Sequence, residues 1–223
     1  MRDIFIAGNS INLCVPDIDA DIMNGNWHNW FNDKEITRYL QHGVFTNTRE
    51  AQRDYIAGEI KKPSNLILTI ISKSPEQSLL GVISLKSINL IHGTAEIAIV
   101  LGDKKPMAAI EAMALLTAHG FEQLNLNKIY AGQHEELAPW VYVLMTIGYQ
   151  IEGLKRAEFN RGGKISAVIS TGITRDDYYS LKEKRGGALL LDPQSLNSLK
   201  PRKDLLNELK LFLEQLNRLI TVC

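Results

Sequence analysis

Residues 95–121, AEIAIVLGDKKPMAAIEAMALLTAHGF, constrain the fold more than any other stretch of the chain. Ile97, Ile99 and Leu101 alternate with Ala98 and Val100. Both faces of a strand here are apolar, which places it inside a sheet rather than at its rim. Gly102-Asp103-Lys104-Lys105-Pro106 then breaks the pattern. From Met107 onward almost every helical face is apolar, through Ile110, Met113, Leu115, Leu116 and Phe121. A helix that apolar is packed on several sides. Its first backbone N–H groups have no internal partner and sit at the positive end of the helix dipole. With Lys104 and Lys105 beside them, they suit a phosphate-bearing ligand. The turn alone reads more simply as an ordinary crossover with two solvated lysines.

The rest of the chain supplies short elements around this crossover. Residues 10–15 read as a strand ended by Pro16, and 17–40 as two short helices interrupted at Gly25 and Asn32-Asp33. Asn47 followed by Glu50 reads as a helix start, with Ala51, Tyr55 and Ile56 facing inward and Pro63 beyond the end. Strands follow at 66–72 and 79–88, then one at 128–133 and a hairpin of 151–159 with 164–173 around Asn160-Arg161-Gly162-Gly163. The order of strands and helices predicts an α+β fold, an α/β sandwich. Arg185-Gly186-Gly187 reads as a flexible joint. Residues 202–222 read as an amphipathic helix with Leu205, Leu209, Phe212, Leu213, Leu216, Leu219 and Ile220 on one face. That face calls for docking on the domain, a homodimer or another protein. The expected division is a domain at 1–183 and a linker plus helix at 184–223.

The stretch from residue 11 to 179 resembles the GCN5-related N-acetyltransferases, the GNAT family. The resemblance rests on Glu111-Ala112 in the central helix, Gly81-Val82-Ile83 in a strand, and Asn125-Leu126-Asn127-Lys128-Ile129 before the next strand. Gly148-Tyr149, Glu152-Gly153 and the run WHNWFNDKEITRYL add to it. The last of these resembles the branch that holds ribosomal-protein N-terminal and amino-sugar N-acetyltransferases. The family implies a mixed, mostly antiparallel sheet flanked by helices, and acetyl-CoA as cosubstrate. It implies that the pantetheine arm follows the backbone of Ile99, Val100 and Leu101. The phosphates then meet the amides and charges of Lys104, Lys105, Met107, Ala108, Ala109 and Ile110. Trp27, Trp30 and Tyr39 are implied in the wall of the acceptor pocket. The chain departs from the family where Met107 replaces a loop glycine, where Pro106 removes an amide donor, and where Leu144 replaces the usual tyrosine.

Acetyl transfer from a thioester to an amine needs a held donor, an aligned neutral amine and a place for the amine proton. Glu96, at the start of the central strand, sits where related enzymes place a carboxylate base. His134 ends the next strand, and histidine titrates near neutral pH. Glu135 has the charge to attract a cationic acceptor. No ligand spacing for zinc or another metal is present. Lys plus Arg and Asp plus Glu are 25 each, so no basic excess argues for nucleic acid. Cys14 and Cys223 do not make a disulfide framework, no apolar run is long enough to span a membrane, and a reducing cytoplasm is expected. Cys14 reads as core and His119 as packing. Two functions follow: an N-acetyltransferase acting on a primary amine of a small molecule, amino sugar or peptide, or a non-catalytic GNAT-like binding domain with a degraded coenzyme loop.

Overall fold

Residues 2–40, 43–102, 105–191, 195 and 204–220 are described by a computed structural model, the side chains of 216–220 excepted. The chain forms two compact units, residues 1–129 and 130–223.

In the first unit the strands β1 (Ile4–Ala7), β2 (Ile11–Cys14), β3 (Leu66–Ser72), β4 (Leu79–Asn89) and β5 (Thr94–Leu101) lie side by side in chain order, each antiparallel to the next. Three α-helices accompany them among the described residues: α1 (Trp27–Trp30), α2 (Arg49–Ile60) and α3 (Pro106–Glu122). The alternation of strand residues assigns the two faces. On β4, Val82, Ser84 and Lys86 line a cavity, whereas Leu85, of opposite parity, lies beside Gly120 of α3. On β5, Ala95 and Ile97 are buried, while Ala98 and Val100 line the same cavity. α3 packs on β2, β3, β4 and β5, which accounts for its apolar surface. A second core forms from Ile22, Trp27, Trp30, Phe31, Ile56, Ile67 and Val82.

β1 was not expected from the sequence. Its apolar run is short, and its place is fixed from a distance by Glu111 of α3. The Glu111 carboxylate is buried and accepts hydrogen bonds from the Asn9 N–H, the Ser10 hydroxyl and the Ser10 N–H, the last at 3.1 and 3.2 Å. Hydrogen bonds to a buried charge contribute about 1.5–3 kcal/mol each, so Glu111 clamps the β1–β2 turn to the central helix. Cys14 is buried on β2, and burial pushes its thiol above the usual range. His119 is packed edge-on against Phe5, ring centroids 5.1 Å apart.

Two details of α2 differ from expectation. The cap is Thr48, whose hydroxyl accepts from the Ala51 N–H at 3.1 Å. Asn47 instead bridges Asn32 and Gln52. Gln52, Ile56 and Glu59 are buried, Ile56 as expected, whereas Ala51 and Tyr55 are exposed and line the cavity together with Gln52 and Ile56.

The second unit holds most of β6 (Lys128–His134), then α4 (Ala138–Met145), β7 (Gln150–Arg161), β8 (Lys164–Thr174), α5 (Arg175–Lys184) and α6 (Leu205–Ile220). β8 lies between β6 and β7, antiparallel to β7. The Arg185-Gly186-Gly187 joint is an ordered helix end. The Gly187 N–H donates to the Lys182 carbonyl at 2.8 Å and the Gly186 N–H to Glu183 at 3.1 Å. Both glycines have positive φ, 63° and 100°, the backbone that such a C-terminal cap needs. Arg185 also donates to the carbonyls of Thr146 and Leu189, each at 2.7 Å. α6 docks through Leu205, which is buried with Val141 and Ile169, and through Leu206 and Leu209. Phe212, expected on the same apolar face as Leu205 and Leu209, is 60% exposed, and Leu211 is 58% exposed. The arrangement as a whole is the α+β class expected, a mostly antiparallel set of strands with helices packed on them.

Candidate active site

The cavity lies wholly in the first unit and has a volume of about 490 Å³. Its floor is the β4–β5 face carrying Val82, Ser84, Lys86, Ala98 and Val100, with Ile99 beside them. Its walls are Trp27 and Phe31 from the α1 region, Ala51, Gln52, Tyr55 and Ile56 from α2, and residues 43–47 of the loop between them. Among the expected residues it thus brings together Trp27 and the strand backbone of Ile99 and Val100. Leu101 follows on the same strand, half-buried.

Glu96 stands on the same face of β5, two residues before Ala98, and its Cα registers against Lys86 on β4. It is exposed. Residues two apart on a strand share a face about 7 Å apart, so Glu96 sits at one end of the cavity floor. Lys86 is held over the Tyr55 ring, 5.9 Å from its centroid, with the Tyr55 hydroxyl at 3.4 Å.

Trp30 serves a different position from Trp27. Its indole covers Gly102, where any Cβ would fall inside the ring system. The Gly102 N–H is tied back to the Leu80 carbonyl at 2.9 Å. Trp30 therefore shapes the turn between β5 and α3 rather than the acceptor wall. Tyr39 is half-buried outside the cavity lining, with the Arg38 guanidinium 5.1 Å from its ring centroid.

That turn leads into α3 at Pro106, and the first bond of the helix runs from the Ala109 N–H to the Lys105 carbonyl at 3.2 Å. The amides of Met107 and Ala108 precede it. Pro106 at the first helical position removes only a donor that no intrahelical bond uses. The first turn of α3 carries no acidic residue, and Glu111 in the second turn is committed to Asn9 and Ser10. The side chains of Ala108, Ala109 and Ile110 point into the core, while Met107 is half-buried and Lys105 exposed. The helix start thus fits a diphosphate, with two amides ahead of its first internal bond and the positive charge of Lys105 just before the helix. Lys104 lies outside the described residues.

The second unit holds the remaining candidates. His134 is buried, its ring edge-on to Phe159 at 4.9 Å, and its Nδ1 accepts the Glu136 N–H at 3.2 Å. An imidazole that accepts at one nitrogen carries its proton on the other when neutral, so the basic nitrogen of His134 is used in a local cap. Glu135, expected to meet a cationic acceptor, is paired with Lys210 of α6 at 2.9 Å. Leu144 is fully buried, so no phenol stands at that helical position.

Sequence reading missed Lys86, Ser84 and Phe45 as cavity residues. Lys86 carried a signal: it is the one charge in the otherwise apolar and small run 79–89. Phe45, 87% exposed, carried none beyond an aromatic in a polar loop. Among the described residues no group of three His, Cys, Asp or Glu is placed to hold a metal, and no described helix is long and apolar enough to cross a membrane.

Comparison with known proteins fits this geometry. A model of the acetyltransferase (GNAT) domain matches residues 18–150. An N-acetyltransferase of Bacillus licheniformis called p20, itself uncharacterized, is 29% identical over 167 residues, covering 72% of this chain and 89% of that protein. The spermidine N(1)-acetyltransferase of Escherichia coli K12 is 29% identical over 116 residues, 51% of this chain and 61% of that enzyme. Among solved structures, a spermidine N-acetyltransferase of Vibrio cholerae in complex with CoA and spermine superposes with a TM-score of 0.68 at 21% identity, covering 76% of this chain and 98% of that one. A GNAT-family acetyltransferase of Bacillus anthracis gives 0.64 at 22% identity, covering 78% and 99%. The match over residues 18–150 spans more than half of the chain, and the protein belongs to the GNAT acetyltransferase family, enzymes for which acetyl-CoA is the cosubstrate.

Proposed function

We propose that the protein transfers the acetyl group of acetyl-CoA to the primary amine of a small molecule bound in the cavity between α2 and the β4–β5 floor. The observation that carries this reading is the composition of that cavity. One strand, β5, supplies both its floor and the backbone along which the family's pantetheine arm runs, and leads directly to the α3 start that suits the diphosphate. Binding there aligns the two reactants, which is the larger part of catalysis for such a transfer. The amine nitrogen attacks the thioester carbonyl, a C–N bond forms, the C–S bond breaks, and CoA leaves as thiolate. The amine proton passes to Glu96, directly or through water. His134 is the second candidate base, but taking a proton at Nδ1 would end its bond to the Glu136 N–H.

A volume of about 490 Å³ suits a small-molecule amine better than a folded protein's terminus. Amino sugars and short peptide amines, which the resembling branch acetylates, are the other acceptors of that size. The buried, free Cys14 thiol accords with a reducing cytoplasm. The outward Leu211 and Phe212 of α6 accord with a homodimer contact.

The test is turnover of Glu96→Gln, followed as thiol release from acetyl-CoA. General-base loss costs about 10²–10⁴ in rate, with the melting temperature unchanged. A loss below about tenfold removes Glu96 from the reaction.

A further inference from the structure

Resting on that assignment of the cavity, we infer that the acceptor is a monoamine on an apolar body, not a polyamine. The charge inventory of the cavity points to this. Among the described residues that line it there is no Asp or Glu, and the one charged group is Lys86. A polyamine brings several ammonium groups, each of which needs a carboxylate or an open aromatic face once water is removed. The floor offers one carboxylate, Glu96, at one end, and a fixed cation at its register partner. Of the aromatic rings, Tyr55 is already covered by the Lys86 ammonium. Trp27 and Phe31 are 1% and 8% exposed and present almost no ring face, which leaves Phe45 as the one open ring among the described lining residues, too few for several ammonium groups. None of the acidic residues of α2, Glu50, Asp54 and Glu59, lines the cavity; Asp54 pairs with Arg53, and Glu59 with Lys62 and Asn65.

What the cavity does offer is apolar area. Ile56, Ile67, Val82 and Val100 form its interior, and Val44 and Phe45, 65% and 87% exposed, stand at the loop that borders it. An aryl or branched alkyl group seated there releases those surfaces from water, with its single amine directed along β5 to Glu96. A second ammonium on the body would share the cavity with the Lys86 ammonium and find no carboxylate among the described lining residues.

Calorimetry and turnover with 2-phenylethylamine and spermidine as probes test this on the full chain in the presence of CoA or acetyl-CoA. The expected result is binding of 2-phenylethylamine, and a kcat/KM at least about tenfold above that for spermidine, the scale on which such pockets discriminate. Lys86→Glu places a carboxylate in the floor and should reverse the preference. Ala98→Phe fills the floor and should abolish 2-phenylethylamine binding while the melting shift with acetyl-CoA persists. No 2-phenylethylamine binding to the unaltered protein, or spermidine preferred and indifferent to Lys86→Glu, overturns the inference even if acetyl transfer occurs. Binding of 2-phenylethylamine but not of spermidine, with no acetyl transfer to either amine, upholds the cavity's selectivity and defeats the catalytic reading instead.

Discussion

Gly102 shows how one residue links packing to coenzyme binding. The Trp30 indole occupies the space that any other side chain at 102 would take, and the turn that follows sets where the Met107 and Ala108 amides point. Gly102→Ala must push the indole out of the core cluster or shift the turn. Overpacking of this kind costs about 1–3 kcal/mol. The expected outcome is a lower melting temperature together with a KM for acetyl-CoA raised about tenfold, more than kcat changes. Unchanged KM with a lowered melting temperature would mean that the turn does not meet the coenzyme. Single residues were also where sequence reading failed most. Trp30 and Trp27 look alike three residues apart in the same run, yet one shapes a turn and the other walls a cavity. Glu135 looks like a ligand for a cation until its partner Lys210, far along the chain, comes beside it. Contacts between residues distant in sequence have no local signature.

The helices that wall the cavity are fastened by a pH-sensitive bond. Arg49 of α2 donates from Nε to the His28 Nε2 at 3.2 Å and from its guanidinium to the Met23 carbonyl at 2.9 Å. Burial, then the Arg49 charge, pushes the His28 imidazole below its ordinary range, and burial alone does the same to His119. The unfolded chain therefore binds protons near pH 6.5 that the folded chain does not, and stability rises with pH through that window. Asp21, pushed upward by burial against its bonds to Asp17 and Arg2, acts in the opposite sense at lower pH. The urea midpoint should be lower at about pH 5 than at about pH 7, and His28→Gln should flatten that difference. A difference that His28→Gln leaves intact would place the titration elsewhere. At this scale the sequence was more legible. The buried strands, the central helix and the β7–β8 hairpin follow from periodicity and turn residues. Ala51 and Tyr55 read as core in the sequence because a helix face turned to a hollow has the same spacing as one turned to a core.

Across the whole molecule, the α+β class and the family were readable because many weak signals agreed over residues 11–179. The place of the C-terminal helix was not, since its apolar face fits a core, a twin or a partner equally well. The structure seats Leu205 and Leu209 in the second unit and leaves Leu211 and Phe212 outward. Replacing both outward residues, Leu211→Glu with Phe212→Glu, should convert a dimer to a monomer by light scattering without loss of fold. A mass that matches one chain before any substitution would remove the dimer.

The most direct measurement for the account as a whole is the melting temperature of the intact chain with and without acetyl-CoA. The start of α3 keeps two amides ahead of its first internal bond, with no acidic residue in its first turn. Acetyl-CoA at about 100 times its Kd should then add about 2.7 kcal/mol to stability. For a chain of this size that raises the melting temperature by roughly 5–10 °C. A curve that does not move at millimolar acetyl-CoA would contradict the account, because a start of α3 that holds no coenzyme leaves the cavity without a donor.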